Sequence, residues 1–215
     1  MPEFMVLVMA NEMADLAPAA TRKLLEDQAA YEQALRTAGA YLDGERLRPS
    51  NEAYRVSAER TVRGPFTDPI LTGYYLITAE SRDAAVALAR TCPVAPGTTL
   101  DVRSVMKGSI HPNKTSQQGH VFAFAVLGAA ANEAGWIAVM DRIDATTRDA
   151  FPADRSLGGV RLHAPVFDGP YLESKEVIGG VFFLRMHAIE EAIEWARGTE
   201  FVRHGAVEIR ELWRS

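Results

Sequence analysis

Short apolar runs alternate with longer amphipathic stretches along this chain. "FMVLVMA" (4–10) is continuously apolar at strand length, which predicts a strand buried on both faces. "PAATRKLLEDQAAYEQALRTAG" (18–39) follows with helical period: Pro18 suits a first turn, Leu24, Leu25, Tyr31, Leu35 and Ala38 share a stripe, and Gly39 is a natural stop. "AYLDGERL" (40–47) and "AYRVSAERTV" (53–62) read as two short strands parted by the turn chemistry of "RPSN". Beyond the Gly-Pro segment "RGPFTDPILTG" (63–73) come strand "YYLITA" (74–79), helix "SRDAAVALARTC" (81–92) with Ser81 as N-cap, and strand "LDVRSVM" (100–106).

The same order then recurs. "HVFAFAVLG" (120–128) predicts a strand, a helix is expected within 129–151, and "GVRLHAPVF" (159–167) predicts a second strand. "DGPYLESKEVIGG" (168–180) repeats the Gly-Pro segment, and strand "VFFLRM", helix "AIEEAIEWARG" and strand "AVEIRELW" close the copy. Set at an offset of 107 positions, "GYYLITAESRDAAVALAR" (73–90) and "GVFFLRMHAIEEAIEWAR" (180–197) keep their glycine, apolar run, acidic helix start and closing Ala-Arg in register. The register continues ungapped to "LDVRSV" and "VEIREL", where Arg103 meets Arg210. The polar segment "KGSIHPNKTSQQG" (107–119) reads as the linker between repeat 1 (1–108) and repeat 2 (120–215).

Two β-α-β halves per copy indicate an α+β fold: ferredoxin-like repeats, each a four-stranded antiparallel sheet with helices on one face. Strands apolar on both alternating faces require a second cover, and the tandem copy can supply it. The expectation is two repeats packed sheet to sheet as an internal pseudo-dimer, in the manner of a dimeric α+β barrel.

Composition narrows the function. A net charge of -5, with no basic run interleaved with aromatics, argues against nucleic acid as a partner. No stretch approaches the roughly 18 apolar residues that span a bilayer, so a membrane is not expected as a partner. The single Cys92 excludes an intrachain disulfide and fits a cytoplasmic protein. No histidine pair has metal-ligand spacing, so neither a metal nor another cofactor is expected. A monomer with its pseudo-dimer internal, or a higher homo-oligomer, fits the duplication.

"GPFTDPILTGYYLITAESRDAAVALARTCP" with "LDVRSVM", and "DGPYLESKEVIGG" in the second copy, resemble the YCII-related family in its DGPF subgroup. The resemblance covers most of 1–108 and about 158–213, with Arg63 where the signature aspartate stands in the second copy as Asp168. It implies ferredoxin-like subunits paired through their sheets. It also implies a pocket that in many members holds a His-Asp pair; one branch removes chloride from a chlorinated hydroxyhydroquinone. The histidine of that pair belongs to the first helix, where this chain has Gln28 in copy one and no histidine in copy two.

Asp168, a carboxylate at a strand end, is the first candidate general base, with turn capping as its structural alternative. His163, five residues earlier, could join it if Pro165 bends the strand. Arg63 could meet an anionic group or pair with Asp168, and Tyr74, Tyr171 and Phe182 could line a pocket for a planar ligand. Cys92 reads as a buried, inert thiol. The expected activity is binding of a small organic molecule in a cavity between the paired sheets, with acid-base chemistry possible there. The alternative is a non-catalytic binding or protein-interaction module.

Overall fold

Strand β1 (Glu3–Ala10) forms where the first apolar run predicts it, and both of its faces are buried: Phe4 and Val6 on one side, Met5 and Leu7 on the other. The computed structural model describes residues 1–10, 17–66, 70–105, 119–127 and 178–213. They divide into two units. The first comprises Met1–Ser50, Pro65–Val105 and Trp213–Ser215, the second Asn51–Gly64 and Met106–Leu212.

In the first unit β1 is flanked by β5 (Ile70–Thr78) and β6 (Thr99–Ser104), and β2 (Tyr41–Leu47) lies outside β5, all antiparallel. The order β2-β5-β1-β6, with α1 (Pro18–Thr37) after β1 and α2 (Arg82–Arg90) after β5, is the ferredoxin-like arrangement. Both helices pack on the face carrying Phe4, Val6 and Ile77, through Tyr31 and Leu35 of α1 and Ala85 and Ala89 of α2. Pro18 opens α1, and Gly39 beyond its end takes φ +68, a left-handed conformation that glycine adopts without penalty. Ser81 caps α2 by accepting from the Ala84 amide at 3.1 Å.

The α1 stripe is narrower than the sequence pattern suggests. Leu25 and Ala38 are exposed, and the inward positions are Leu24, Gln28, Tyr31 and Leu35, spaced by four, three and four residues. A polar Gln28 in that stripe is what disguised it.

The second unit builds on β7 (His120–Leu127), flanked by β8 (Ile178–Met186) and β9 (Ala206–Trp213). Helix α3 (Ile189–Arg197) and the unanticipated short helix α4 (Phe201–His204) pack on one face. There Trp195 meets Phe124 edge to face, with ring centroids 5.4 Å apart. The helix expected within 129–151 and the strand expected at 159–167 lie outside the described residues.

"AYRVSAERTV" is not one strand. It folds as a hairpin of β3 (Tyr54–Val56) and β4 (Thr61–Arg63), because Ser57 and Arg60 close a turn: the Ser57 amide donates to the Arg60 carbonyl at 2.9 Å. Although it belongs to the first copy in sequence, the hairpin pairs with β9 in the second unit, Tyr54 opposite Ile209 and Val56 opposite Val207. Val56 is wholly buried among Phe122, Phe124 and Ile209.

The repeat holds to the level of single pairs. Val6 lies opposite Tyr75 and Val102, and Phe124 opposite Phe182 and Ile209, so the offset of 107 between the later strands is preserved in the ladders. Even the irregularity recurs: the register slips after Val8, between Gly73 and Leu71, and after Val126, between Gly180 and Ile178. The glycine shared by both copies therefore sits beside a bulge. At Gly73 an added Cβ would come within 3.1 Å of the Glu45 carbonyl oxygen, so the residue lets β2 approach β5.

Candidate functional site

The first unit's sheet buries a hydrogen-bonded acid on its non-helical face. Tyr74 follows the alternation of β5, projecting away from the helices beside Leu7, while Tyr75 and Ile77 point toward them. By the same alternation Asp43 should share the helical face with Tyr41. A bulge in β2 between Tyr41 and Asp43 prevents this, pairing Tyr41 with Ile77 but Asp43 with Leu76, so that the carboxylate turns to the other face. Leu42, the extra residue, is exposed.

Tyr74 Oη there donates to Asp43 Oδ2 at 3.0 Å, with the two residues 2% and 7% exposed. Gly44 makes room for the bulge: a Cβ would meet the Tyr75 ring at 3.0 Å and the Tyr41 hydroxyl at 3.2 Å, and that hydroxyl donates to the Gly44 carbonyl.

Burial first, and the Asp43 charge second, hold the Tyr74 phenol well above its ordinary range; burial does the same to Tyr31. Both tyrosines therefore stay neutral in the folded protein at pH values where the unfolded chain ionises them. Below about pH 10 both states keep these protons, so stability is unaffected; above it the unfolded state releases them first, and stability falls as pH rises. The expected loss is at most about 1.4 kcal/mol per pH unit for each such tyrosine, read from urea unfolding at pH 9, 10 and 11. Stability flat across that range would contradict the assignment.

On the helical face Gln28 joins three elements. Its Nε2 donates to the Pro93 carbonyl at 3.1 Å, and its Oε1 accepts from the Arg46 guanidinium. Gln28 thus ties α1 to β2 and to the segment after α2. Cys92 is buried nearby, and its desolvation pushes the thiol up to about 11, partly offset by a hydrogen bond from Tyr75.

The sequence candidates distribute unevenly. Tyr74 is buried on the sheet as described. Arg63 is exposed on β4, donates through Nε to the Asn51 carbonyl at 2.9 Å and lies over the Tyr54 ring, 6.0 Å from its centroid. Phe182 takes its place in β8 opposite Phe124, with its side chain outside the described residues. Asp168, His163 and Tyr171 lie outside the described residues altogether. Tyr74 belongs to the first unit and Arg63 to the second. His120 opens β7, and its Nδ1 lies 2.5 Å from Glu211 Oε1; His204 ends α4. Among the described residues no group of three or more His, Cys, Asp or Glu converges as a metal site, and no helix is long and apolar enough to cross a membrane.

Sequence reasoning missed Asp43, whose inward turn depends on a bulge that no local motif announces. It also missed the buried charges of the second unit. "VEIREL" alternates as a half-exposed strand would, yet Glu208 and Arg210 are each 2% exposed on the non-helical face. Arg55 of the hairpin reaches Glu208 at 2.8 Å. The acid-x-Arg spacing shared with Asp101 and Arg103 was the available signal.

The YCII-related domain matches the chain twice, over residues 3–108 and 115–215. The chain belongs to the YCII-related family. Its two family matches coincide with the two copies seen in the strand ladders. No curated protein matches it in sequence. Among solved structures, this family member is similar to a mutant chlorite dismutase from Candidatus Nitrospira defluvii (9% identity, covering 99% of this chain and 91% of that one, TM-score 0.50). It is similar also to a candidate chlorite dismutase (10% identity, 99% and 94% covered, TM-score 0.50). A third is a heme-binding protein from Thermus thermophilus (11% identity, 99% and 91% covered, TM-score 0.49). At such identities the likeness to the two chlorite dismutase structures is one of fold, in keeping with the α+β, ferredoxin-like repeats of this YCII-related chain.

Proposed function

We propose that this YCII-related protein binds a small organic molecule bearing an acidic hydroxyl and transfers its proton, with Asp43 as base and Tyr74 as the hydrogen-bond donor that orients it. The observation carrying this reading is the Asp43–Tyr74 hydrogen bond, buried beside Leu7 and Leu76 on a sheet face that also carries Glu45, Asp101 and Arg103. A carboxylate in such surroundings, held by a phenol that stays neutral, is set up to accept a proton from a bound group rather than from water. The backbone bulge that turns Asp43 inward supports a functional placement, since a regular strand would have put it with Tyr41.

Asp43→Asn tests the role of the charge, because an amide oxygen can still accept from Tyr74 and preserve the packing. A panel of small phenols and hydroxy acids is screened by ligand-observed NMR, and any compound that binds is followed for proton exchange or turnover. The variant should unfold within about 1 kcal/mol of the parent while losing exchange at least tenfold. Binding and exchange unchanged by the substitution would defeat the proposal. Binding retained with no exchange in either protein would favour the non-catalytic module, a reading supported by Gln28, which serves as a structural tie.

A further inference from the structure

We infer that Tyr41, held beneath Arg36, is a positioning residue for the Asp43–Tyr74 pair: its hydroxyl fastens the bulge in β2 that turns the Asp43 carboxylate to the non-helical face. Its bearing on function rests on the acid-base reading, whereas its test reads the pair itself.

The bulge partitions two neighbours against their chemistry. Leu42 is 39% exposed while Asp43 is 7% exposed, and a strand of regular alternation would place them the other way round, the leucine against Leu76 and the acid beside Tyr41. An inserted residue persists where local contacts favour it over the regular register. Tyr74 supplies one such contact, the 3.0 Å hydrogen bond from its hydroxyl to Asp43. That bond acts on the side chain; the backbone of the bulge is held from the helical face.

Tyr41 supplies that hold. It precedes the inserted residue, pairs with Ile77 and packs against the core beneath the helices. Its hydroxyl reaches over the bulge and donates to the Gly44 carbonyl at 3.3 Å, so a side chain from before the insertion is tied to backbone beyond it. The reach exists because residue 44 has no side chain: a Cβ there would stand 3.2 Å from that hydroxyl. The ring is fixed in turn. The Arg36 guanidinium, in the last turn of α1, lies 3.8 Å from the ring centroid, and Glu32 one turn earlier accepts from Arg36 Nε at 3.0 Å. Burial first and the Glu32 charge second hold the Tyr41 phenol above its ordinary range, so it keeps the proton it donates as pH approaches the about 10 of a free tyrosine. Helix α1 thus acts on the Asp43 backbone through Tyr41.

The experiment uses the full chain with tyrosine isotope-labelled at Cζ, whose NMR shift reports the hydrogen bond and the ionisation of each phenol. Tyr74→Phe assigns the Tyr74 signal among the six tyrosines, and Asp43→Ala gives that signal without the acid. Tyr41→Phe removes only the hydroxyl and keeps the ring under Arg36. It should move the Tyr74 resonance at least half of the way to its Asp43→Ala position. Tyr74 should also ionise at lower pH than in the parent, because burial still opposes its ionisation but the Asp43 charge, moved away, no longer does. Arg36→Ala, at an exposed position, should move the resonance in the same direction, and Arg36→Lys, which keeps a cation over the ring, should restore it. Tyr31, whose hydroxyl donates to the Leu88 carbonyl, should keep its parent shift throughout. A Tyr74 resonance unmoved by Tyr41→Phe or by Arg36→Ala, or a Tyr31 resonance that moves with it, would overturn the inference. Absence of proton exchange in the parent would defeat the acid-base reading alone and leave the fastening of the bulge as measured.

Discussion

Cut within residues 107–119, the chain is expected to yield a C-terminal half that does not fold by itself. The reason lies in the hairpin of β3 and β4. It is encoded before the cut, yet it completes the second unit's sheet: β3 pairs with β9 over Tyr54, Arg55 and Val56, and the Ala58 amide donates to the Val202 carbonyl at 2.8 Å. Losing it uncovers the core position filled by Val56, opens the backbone edge of β9 and leaves Glu208 buried without Arg55. Each of these costs on the order of 1–3 kcal/mol, and together they rival the 5–15 kcal/mol that stabilises a typical domain. A fragment of residues 120–215 should therefore lack near-UV circular dichroism and a cooperative urea transition. Co-expression with residues 1–106 should restore both, in a one-to-one complex on size-exclusion chromatography. A cooperatively folded monomer of 120–215 alone would show that the hairpin is dispensable.

The second large effect is expected at Arg55. Its side chain is 17% exposed and that of Glu208 only 2%, with 2.8 Å between them. Removing Arg55 takes the nearer cation from a buried acid and leaves it Arg210 at 3.9 Å, at a cost of about 1–3 kcal/mol. Arg55→Ala should lower the unfolding free energy by that amount in urea. Arg55→Lys, which keeps a positive charge beside Glu208, should lose less than Arg55→Ala. If Arg55→Ala costs under about 1 kcal/mol, solvent reaches the pair and the burial argument fails.

Much of the architecture was legible in the residues. The offset of 107 positions, visible in two glycines and a closing Ala-Arg, reappears as identical strand pairing, because register is strongly specified where both faces of a sheet are buried. Ser81 and Gly39 mark helix ends through local backbone chemistry, which sequence carries directly.

What escaped notice depends on distant partners. "AYRVSAERTV" has strand composition throughout, and only the Ser57–Arg60 turn, together with a docking edge some 150 residues downstream, makes it a hairpin. Asp43 changes face through a single inserted residue, against the period of two. Glu208 and Arg210 look solvated by alternation, and their burial follows from what covers the strand rather than from the strand itself.

The bulge repeated beside Gly73 and Gly180 gives the protein a practical property. Because both copies slip register at equivalent pairs, residues 3–9 of β1, 71–78 of β5 and 99–104 of β6 have counterparts at 121–127, 178–185 and 206–211 in the same pairing. A substitution made in one copy thus carries its own control within the same molecule: Met5 reports on Ala123, and Arg103 on Arg210. Differences between such twin sites isolate the side chain from the backbone, a separation that usually requires two proteins.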